Sequence, residues 1–378
     1  MITQNQFRSY FEVPHKRLFF NHAAYSPLSK PVVAAINGYL EQRQSGTPLS
    51  WKIAEEHREG LRSNYGKLIG ASPERIAHMG NTVSGISVLA NGLDWKPGDH
   101  IILYEHEFPA NVMPFLNLED QGVEVEFISA PDGRVTPDLF AAAIKPETRL
   151  ISISSVQYLS GYRTDLKGLA TLCHTRNILL SVDAIQSIGV IPTDVMELGI
   201  DFMAVGGHKW MMSPLGTGFL YVTEDLQSRL RLTNRGYMGH LNPADFQNFK
   251  QPLSDDAKRF EMGAFNAAGM AGAEKATELL LNCSIDSIFR HIKLLIGQFE
   301  WGLEDLPFKL IHQFEEQEKS GICMFTHVDP AQNDSIYDAL TAAGVNLSLR
   351  GGGLRLAPHY YNNSNEIDQL IALLKDSL

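Results

Sequence analysis

Asp201-Phe202-Met203-Ala204-Val205-Gly206-Gly207-His208-Lys209-Trp210 sets an apolar run of strand length directly before two glycines and a lysine. Most lysines are solvated surface charges, but the end of a buried strand in an α/β sheet is where sites form. Desolvation there lowers an amine's pKa and makes it a nucleophile toward carbonyls. Gly206 and Gly207 let a ligand approach the backbone closely. Upstream, Leu179-Leu-Ser-Val-Asp183-Ala-Ile-Gln186 ends another apolar run in a carboxylate, with a glutamine three residues on. Taken alone, Asp183 also reads as the N-cap of a following helix.

Working outward, short apolar runs alternate with helical patterns from about Pro97 to Val222. Strands are predicted at Ile101–Tyr104, Val123–Ile128, Leu150–Val156, Ile178–Val182, Phe202–Val205 and Gly218–Val222. Helices are predicted at Pro109–Gln121, Pro137–Ile144 and Asp165–Arg176, and earlier at Pro31–Gln44, Ser50–Ile69 and Val83–Leu93. This alternation predicts an α/β layer with a largely parallel sheet covered on both faces. After about Gly239 a polar stretch leads to helix patterns at Ala267–Leu281 and Ser284–Leu306. A smaller mixture follows, with strands near Phe308–Ile311, Gly321–Thr326 and Val345–Leu349 and helices near Asp334–Ala343 and Glu366–Ser377. The expected organisation is an N-terminal arm (1–20), a large domain (21–250) and a smaller α+β domain (251–378), the boundary falling within 235–265. The arm could pack with either unit.

The 378 residues are 44% hydrophobic and 20% charged, with 32 Lys+Arg against 43 Asp+Glu and a net charge of −11. An acidic chain without a basic run argues against nucleic acid and anionic membrane as partners. No apolar run approaches a membrane span, and the polar stretch Met1–His15 lacks the apolar core of a signal peptide, so a cytoplasmic protein is expected. Cys173, Cys283 and Cys323 lie far apart and read as reduced and structural. No histidine pair stands at metal-ligand spacing and His-Glu-x-x-His is absent, so no metal is expected. Gly351-Gly-Gly353 lacks the Gly-Lys-Ser/Thr ending of a nucleotide loop.

The segment around Lys209, paired with Asp183-x-x-Gln186, resembles the signature of the class V aminotransferase family of fold-type I enzymes, which use pyridoxal 5′-phosphate (PLP). The resemblance spans nearly the whole chain, from Phe20-Asn-His-Ala-Ala-Tyr-Ser-Pro27 to Leu354-Arg-Leu-Ala-Pro-His-Tyr-Tyr-Asn362. It implies a fold-type I architecture and PLP held as a Schiff base on Lys209. Asp183 would keep the pyridine nitrogen protonated, which makes the ring an electron sink. Gln186 would bond the phenolic oxygen, as would Gln157 or Tyr158, with Gln157 favoured. Gly80-Asn81-Thr82-Val-Ser84 precedes a helix, so the Asn81 amide and the Thr82 hydroxyl are expected on the phosphate. His208 is expected there too. Phe108, in Glu107-Phe-Pro-Ala-Asn111, would stack on the cofactor where cysteine desulfurases usually have a histidine. Arg355 resembles the arginine that clamps the substrate carboxylate, and an internal ion pair is its structural alternative. Arg350 would take the same carboxylate or a second one. His22 and Ala24 of the opening turn are further substrate contacts that the resemblance implies.

Gly206 stands where many members have a serine. Ala264 stands where many have a threonine reaching across a homodimer, the assembly that the resemblance implies. Between Arg350 and Arg355 no cysteine occurs, so no thiol stands where desulfurases carry one. The leading expectation is transamination of an amino acid. A C–S or β-elimination lyase comes second and epimerisation third. A catalytically silent binding protein is disfavoured by the retention of both Lys209 and Asp183.

Overall fold

The computed structural model describes residues 2–13, 17–46 and 50–376. Seven strands form its main sheet: Ile76–His78 (β1), His100–Tyr104 (β2), Glu124–Ile128 (β3), Thr148–Ser154 (β4), Leu179–Asp183 (β5), Phe202–Gly206 (β6) and Gly218–Val222 (β7). Their spatial order is β1-β7-β6-β5-β4-β2-β3. Pairings from β6 through β3 are parallel, and β7 runs antiparallel to both of its neighbours. The α/β fold with a mostly parallel sheet is the one expected.

The strands are apolar on both sides because both faces are covered. Along β2, Ile101 and Leu103 join one apolar cluster, while Ile102 and Tyr104 join the other. The period of two does the same in β5 and β6. Helix Thr82–Gly92 packs on β6 and β7, and helix Leu166–His174 packs against β5. A second, four-stranded antiparallel sheet runs in the order Ser348–Arg350, Gly353–Leu356, Cys323–His327, Phe308–Leu310.

Several elements differ from expectation. The helix over Pro109–Gln121 is broken into 3-10 turns at Pro109–Asn111 and Glu119–Gln121, with one α-turn at Met113–Leu116. Pro114 cannot donate to a continuous helix and clashes with the preceding turn. Strand Val345–Leu349 splits, so that Val345–Asn346 pairs with Leu18–Phe19 while Ser348–Arg350 joins the four-stranded sheet. Three strands, Leu18–Phe19, β1 and Gly353–Leu356, carry too few residues to show a period and are not among those expected. The last helix runs Ser364–Asp376, and Ser377 lies outside the described residues.

The first seventy residues are fixed by chain far downstream. Helices Lys30–Gln44 and Ser50–Ile69 pack against Ala267–Cys283. Beside them Glu261 is buried and accepts from Arg58 Nη1 (2.6 Å), Arg62 Nη1 (2.7 Å) and the His78 amide (2.9 Å). Burial alone would raise the Glu261 carboxyl, but Arg62, His78 and Arg58 outweigh it and hold the group at about 2. A carboxyl depressed on folding stabilises above its unfolded pKa, and this contribution is lost as pH falls through about 2. Replacing Glu261 with alanine leaves two buried guanidinium groups with only the more exposed Glu55 and Glu59 as carboxylate partners. The expected loss is about 3–5 kcal/mol in urea unfolding, and a change under 1 kcal/mol would show that the cluster is solvated.

Candidate active site

The strand period decides which side chains meet. Asp183 ends β5 on the same face as Leu179, and Gly206 ends β6 on the same face as Phe202 and Ala204. Helix Thr82–Gly92 covers that face. Its Gly85 lies so close to β6 that an added Cβ would stand 2.8 Å from the Ala204 Cβ. Close packing here brings the helix N-terminus over the ends of β5 and β6. Between them opens a cavity of about 280 Å3, lined among others by Ala24, Asn81, Thr82, Phe108, Tyr158, Asp183, Gln186, His208, Lys209, Arg350 and Arg355.

Lys209 leaves β6 in a loop tied down on several sides. The Gly207 amide donates to Thr217 O, the Ser26 amide to His208 O, and the Met212 amide to Lys209 O. A side chain on Gly207 would strike Ser213 and Thr217, so this glycine serves the loop's packing rather than a ligand. The lysine is 7% exposed, and its Nζ lies 5.3 Å from the centre of the Phe108 ring. Burial lowers its pKa, with Asp183 opposing the shift and Arg355 and Arg350 adding to it. Burial likewise raises the Asp183 carboxyl. An amine so placed is a better nucleophile and base at neutral pH.

Two buried oxygens in this cavity lack partners, and their positions test the fit of PLP. Asp183 Oδ1 accepts from the Ile185 amide at 3.0 Å, while Oδ2 has no partner. That is the acceptor a protonated pyridine nitrogen requires. Thr82 Oγ1, at the N-terminus of its helix, is equally unpaired. A Cβ built on Gly206 would stand 3.3 Å from Thr82 Oγ1 and 3.4 Å from His208 Nδ1, so a space without a side chain separates these two donors. An anion there meets the helix amides as well. Asn81 caps this helix, its Oδ1 accepting from the Ser84 amide at 2.8 Å. Burial, and then Lys209, hold His208 below its ordinary value. Phe108 is 37% exposed toward the opening and meets the Tyr158 ring edge-on, centroids 5.3 Å apart. The residues present fit the cofactor.

Arg355 sits on Gly353–Leu356 at 1% exposure, its Nη1 donating to Tyr158 O at 3.0 Å and its Nε unpaired. Burial and then Arg350 depress it to about 9. No carboxylate pairs with it among the described residues, which removes the internal ion pair as its reason for burial. Gly351 and Gly352, at φ 56° and 77°, form a two-residue turn between Arg350 and Gly353, a hairpin type that demands left-handed backbone at both positions. The three cysteines are buried elsewhere and none lines the cavity.

Two expectations are corrected. His22 does not reach the cavity: Nδ1 bonds Ala357 O at 2.8 Å and Nε2 bonds the Tyr361 hydroxyl at 3.0 Å, within the core. Gln157 donates its amide to Glu107 at 2.8 Å and leaves a buried Oε1 without a partner, while the neighbouring Tyr158 is the one that lines the cavity. Gln186 does line it, with one amide N–H given to Ala23 O and its oxygen taken by Trp210 Nε1. One N–H remains for a ligand. Sequence reasoning missed Glu107, a buried carboxylate that gathers Ser154, Asn111 and Gln157 beneath Phe108. Its place directly before Phe108 was the only available signal.

A profile described as Aminotransferase class-V matches residues 18–370. A probable cysteine desulfurase of Methanothermobacter thermautotrophicus is 28% identical, the match covering 95% of this chain and 94% of that one. The uncharacterized aminotransferase YcbU of Bacillus subtilis is also 28% identical, covering 97% and 96%. Among solved structures, the cystine C–S lyase C-DES, in complex with its product cysteine persulfide, superposes with a TM-score of 0.89. It is 23% identical, with 97% of this chain and 99% of that one covered, and so shares the fold. With this match along nearly its whole length, the chain belongs to the class V aminotransferase family of fold-type I enzymes, which work with pyridoxal 5′-phosphate.

Proposed function

We propose that the protein is a PLP-dependent lyase that removes a sulfur substituent from the β-carbon of an amino acid and releases it without a protein thiol as acceptor. The observation that carries this reading is the closed Gly351–Gly352 turn beside Arg355, in a cavity that no cysteine lines. The printed names of the desulfurase and C–S lyase relatives support sulfur chemistry.

When bound, PLP supplies a protonated ring that draws off the electron pair left at the substrate α-carbon. Lys209 holds the cofactor and, once displaced by the substrate amine, takes the α-proton. Asp183 Oδ2 would accept a hydrogen bond from the ring nitrogen and so keep its proton in place. Thr82, the Asn81 amide and His208 hold the phosphate, the free N–H of Gln186 serves the phenolic oxygen, and Phe108 covers a ring face. Arg355 takes the α-carboxylate, with Ala24 closing the pocket opposite. The Cβ–S bond breaks with its electrons leaving on sulfur. Overall one water is consumed, and a thiol, pyruvate and ammonium are released.

Transamination, the first expectation, uses the same groups, and the Bacillus relative's printed name favours it. The two reactions differ in needing a keto-acid acceptor. Holoenzyme given cysteine, cystine or S-alkylcysteines is expected to release sulfide, persulfide or thiol respectively, and pyruvate, equally with and without 2-oxoglutarate. Product formed only when the keto acid is present would replace elimination with transfer.

Borohydride is expected to fix the cofactor on Lys209, read by peptide mass mapping. Label on another lysine ends the assignment. Replacing Arg355 with alanine is expected to weaken amino-acid binding roughly ten- to hundredfold, and binding of the matching amines far less. Equal losses in a spectral titration would refute the clamp.

A further inference from the structure

The two arginines of the cavity stand in a fixed relation. In the antiparallel hairpin, Ser348 lies opposite Arg355 and Arg350 lies opposite Gly353. Side chains two apart share a face, so Arg350 shares the face of Ser348 and hence of Arg355. They are diagonal neighbours across the strand pair, about 7–8 Å apart at the backbone. The Gly351–Gly352 turn holds this spacing without slack.

Their surroundings differ. Arg355 is buried, anchored to Tyr158 O and directed into the floor of the cavity, whereas Arg350 is exposed at its rim. Neither forms an ion pair among the described residues, and Arg355 lacks one although it is buried with its Nε unbonded. Asp183 is the cavity's one lining carboxylate, and one of its oxygens is committed to Ile185. Like charges on neighbouring positions of one sheet face repel, so two guanidinium groups facing one cavity need anions from the ligand. The phosphate has its own donors in Thr82, His208 and the helix amides and makes no claim on them. An α-carboxylate held in a two-pronged contact by Arg355 leaves Arg350, a diagonal neighbour across the strand pair, free for another anion.

We propose that Arg350 receives a second carboxylate, so that the preferred substrates are amino acids carrying an acid group beyond the reacting β-carbon. This rests on the reading that an amino acid binds with its α-carboxylate at Arg355. Two sources supply the required chemistry: a dicarboxylic amino acid such as glutamate, or a disulfide such as cystine, whose second half brings its own carboxylate. A substituent of the latter kind leaves as a persulfide that keeps both sulfurs and carries the distal acid away with it.

The test uses holoenzyme and two variants, Arg350→Gln and Arg350→Glu. Calorimetry compares glutarate with butyrate, neither of which reacts, and steady-state kinetics compares cystine and glutamate with S-methylcysteine and alanine. In Arg350→Gln the preference for glutarate over butyrate is expected to fall roughly ten- to hundredfold, the worth of a charge-assisted contact. The loss should appear in KM rather than kcat for whichever of cystine and glutamate is the substrate. Arg350→Glu is expected to reverse the preference, favouring a ligand with a distal amine. A glutarate preference equal in all three proteins overturns the proposal, as does an equal loss for glutarate and butyrate, which would make Arg350 a second hand on the α-carboxylate. Failure of every amino acid to react, with the calorimetric preference intact, counts against the lyase reading and leaves the second carboxylate site standing.

Discussion

Asp183 ends its strand with one carboxylate oxygen bonded to a backbone amide and the other facing a closed cavity without a partner. A buried unpaired acceptor costs free energy, on the order of 1–3 kcal/mol, and a ligand donor at this position removes that cost. The rest of the site is arranged around that deficit. The strand period aims the carboxylate to the face where helix Thr82–Gly92 begins, and Gly85 allows that helix to lie close enough for Thr82 to share the space. Lys209, held in a loop pinned to Thr217 and Ser26, adds a desolvated amine on the next strand. Each of these groups is poorly satisfied alone, and one cofactor bound as proposed would satisfy all three.

Much of this was legible in the sequence because it follows from short-range pattern. Apolar runs of five residues ending in Asp183 and before Lys209 declare buried parallel strands, and the residues that close them fall at the strand ends. The asparagine cap of the Thr82 helix and the arginine at 355 are equally local. What could not be read was which of two adjacent side chains faces the cavity. Gln157 and Tyr158 follow β4 outside any regular period, so a one-residue rotation of the backbone exchanges them. His22 sits in a turn whose orientation is set by Ala357 and Tyr361, more than three hundred residues away. Glu107 became intelligible only when β4 brought Ser154 beside it.

With both arginines on substrate carboxylates as proposed, the hairpin would tie substrate selection to backbone conformation. Its two turn residues occupy left-handed space that other residues enter at a cost. The separation of the two guanidinium groups is therefore set by a backbone turn as much as by side-chain rotamers. Length and chemistry are coupled at this point of the chain: a turn this short holds two cations apart and leaves no loop on which a thiol could travel into the cavity.

Pairing of the arm with the far end of the chain constrains how the molecule is assembled. Asn21 bonds Asn346 across 325 positions, and Leu18–Phe19 finds its strand partner only at Val345–Asn346. A chain emerging from its N-terminus can complete β1 to β7 well before either partner exists, since those strands end at Val222. Contacts of such long range form late, because loop closure precedes any return. Arg355 and the Ala24 wall therefore join the cavity last, so Lys209 and Asp183 face an open cleft until the segment around Val345–Asn346 has been made and has paired.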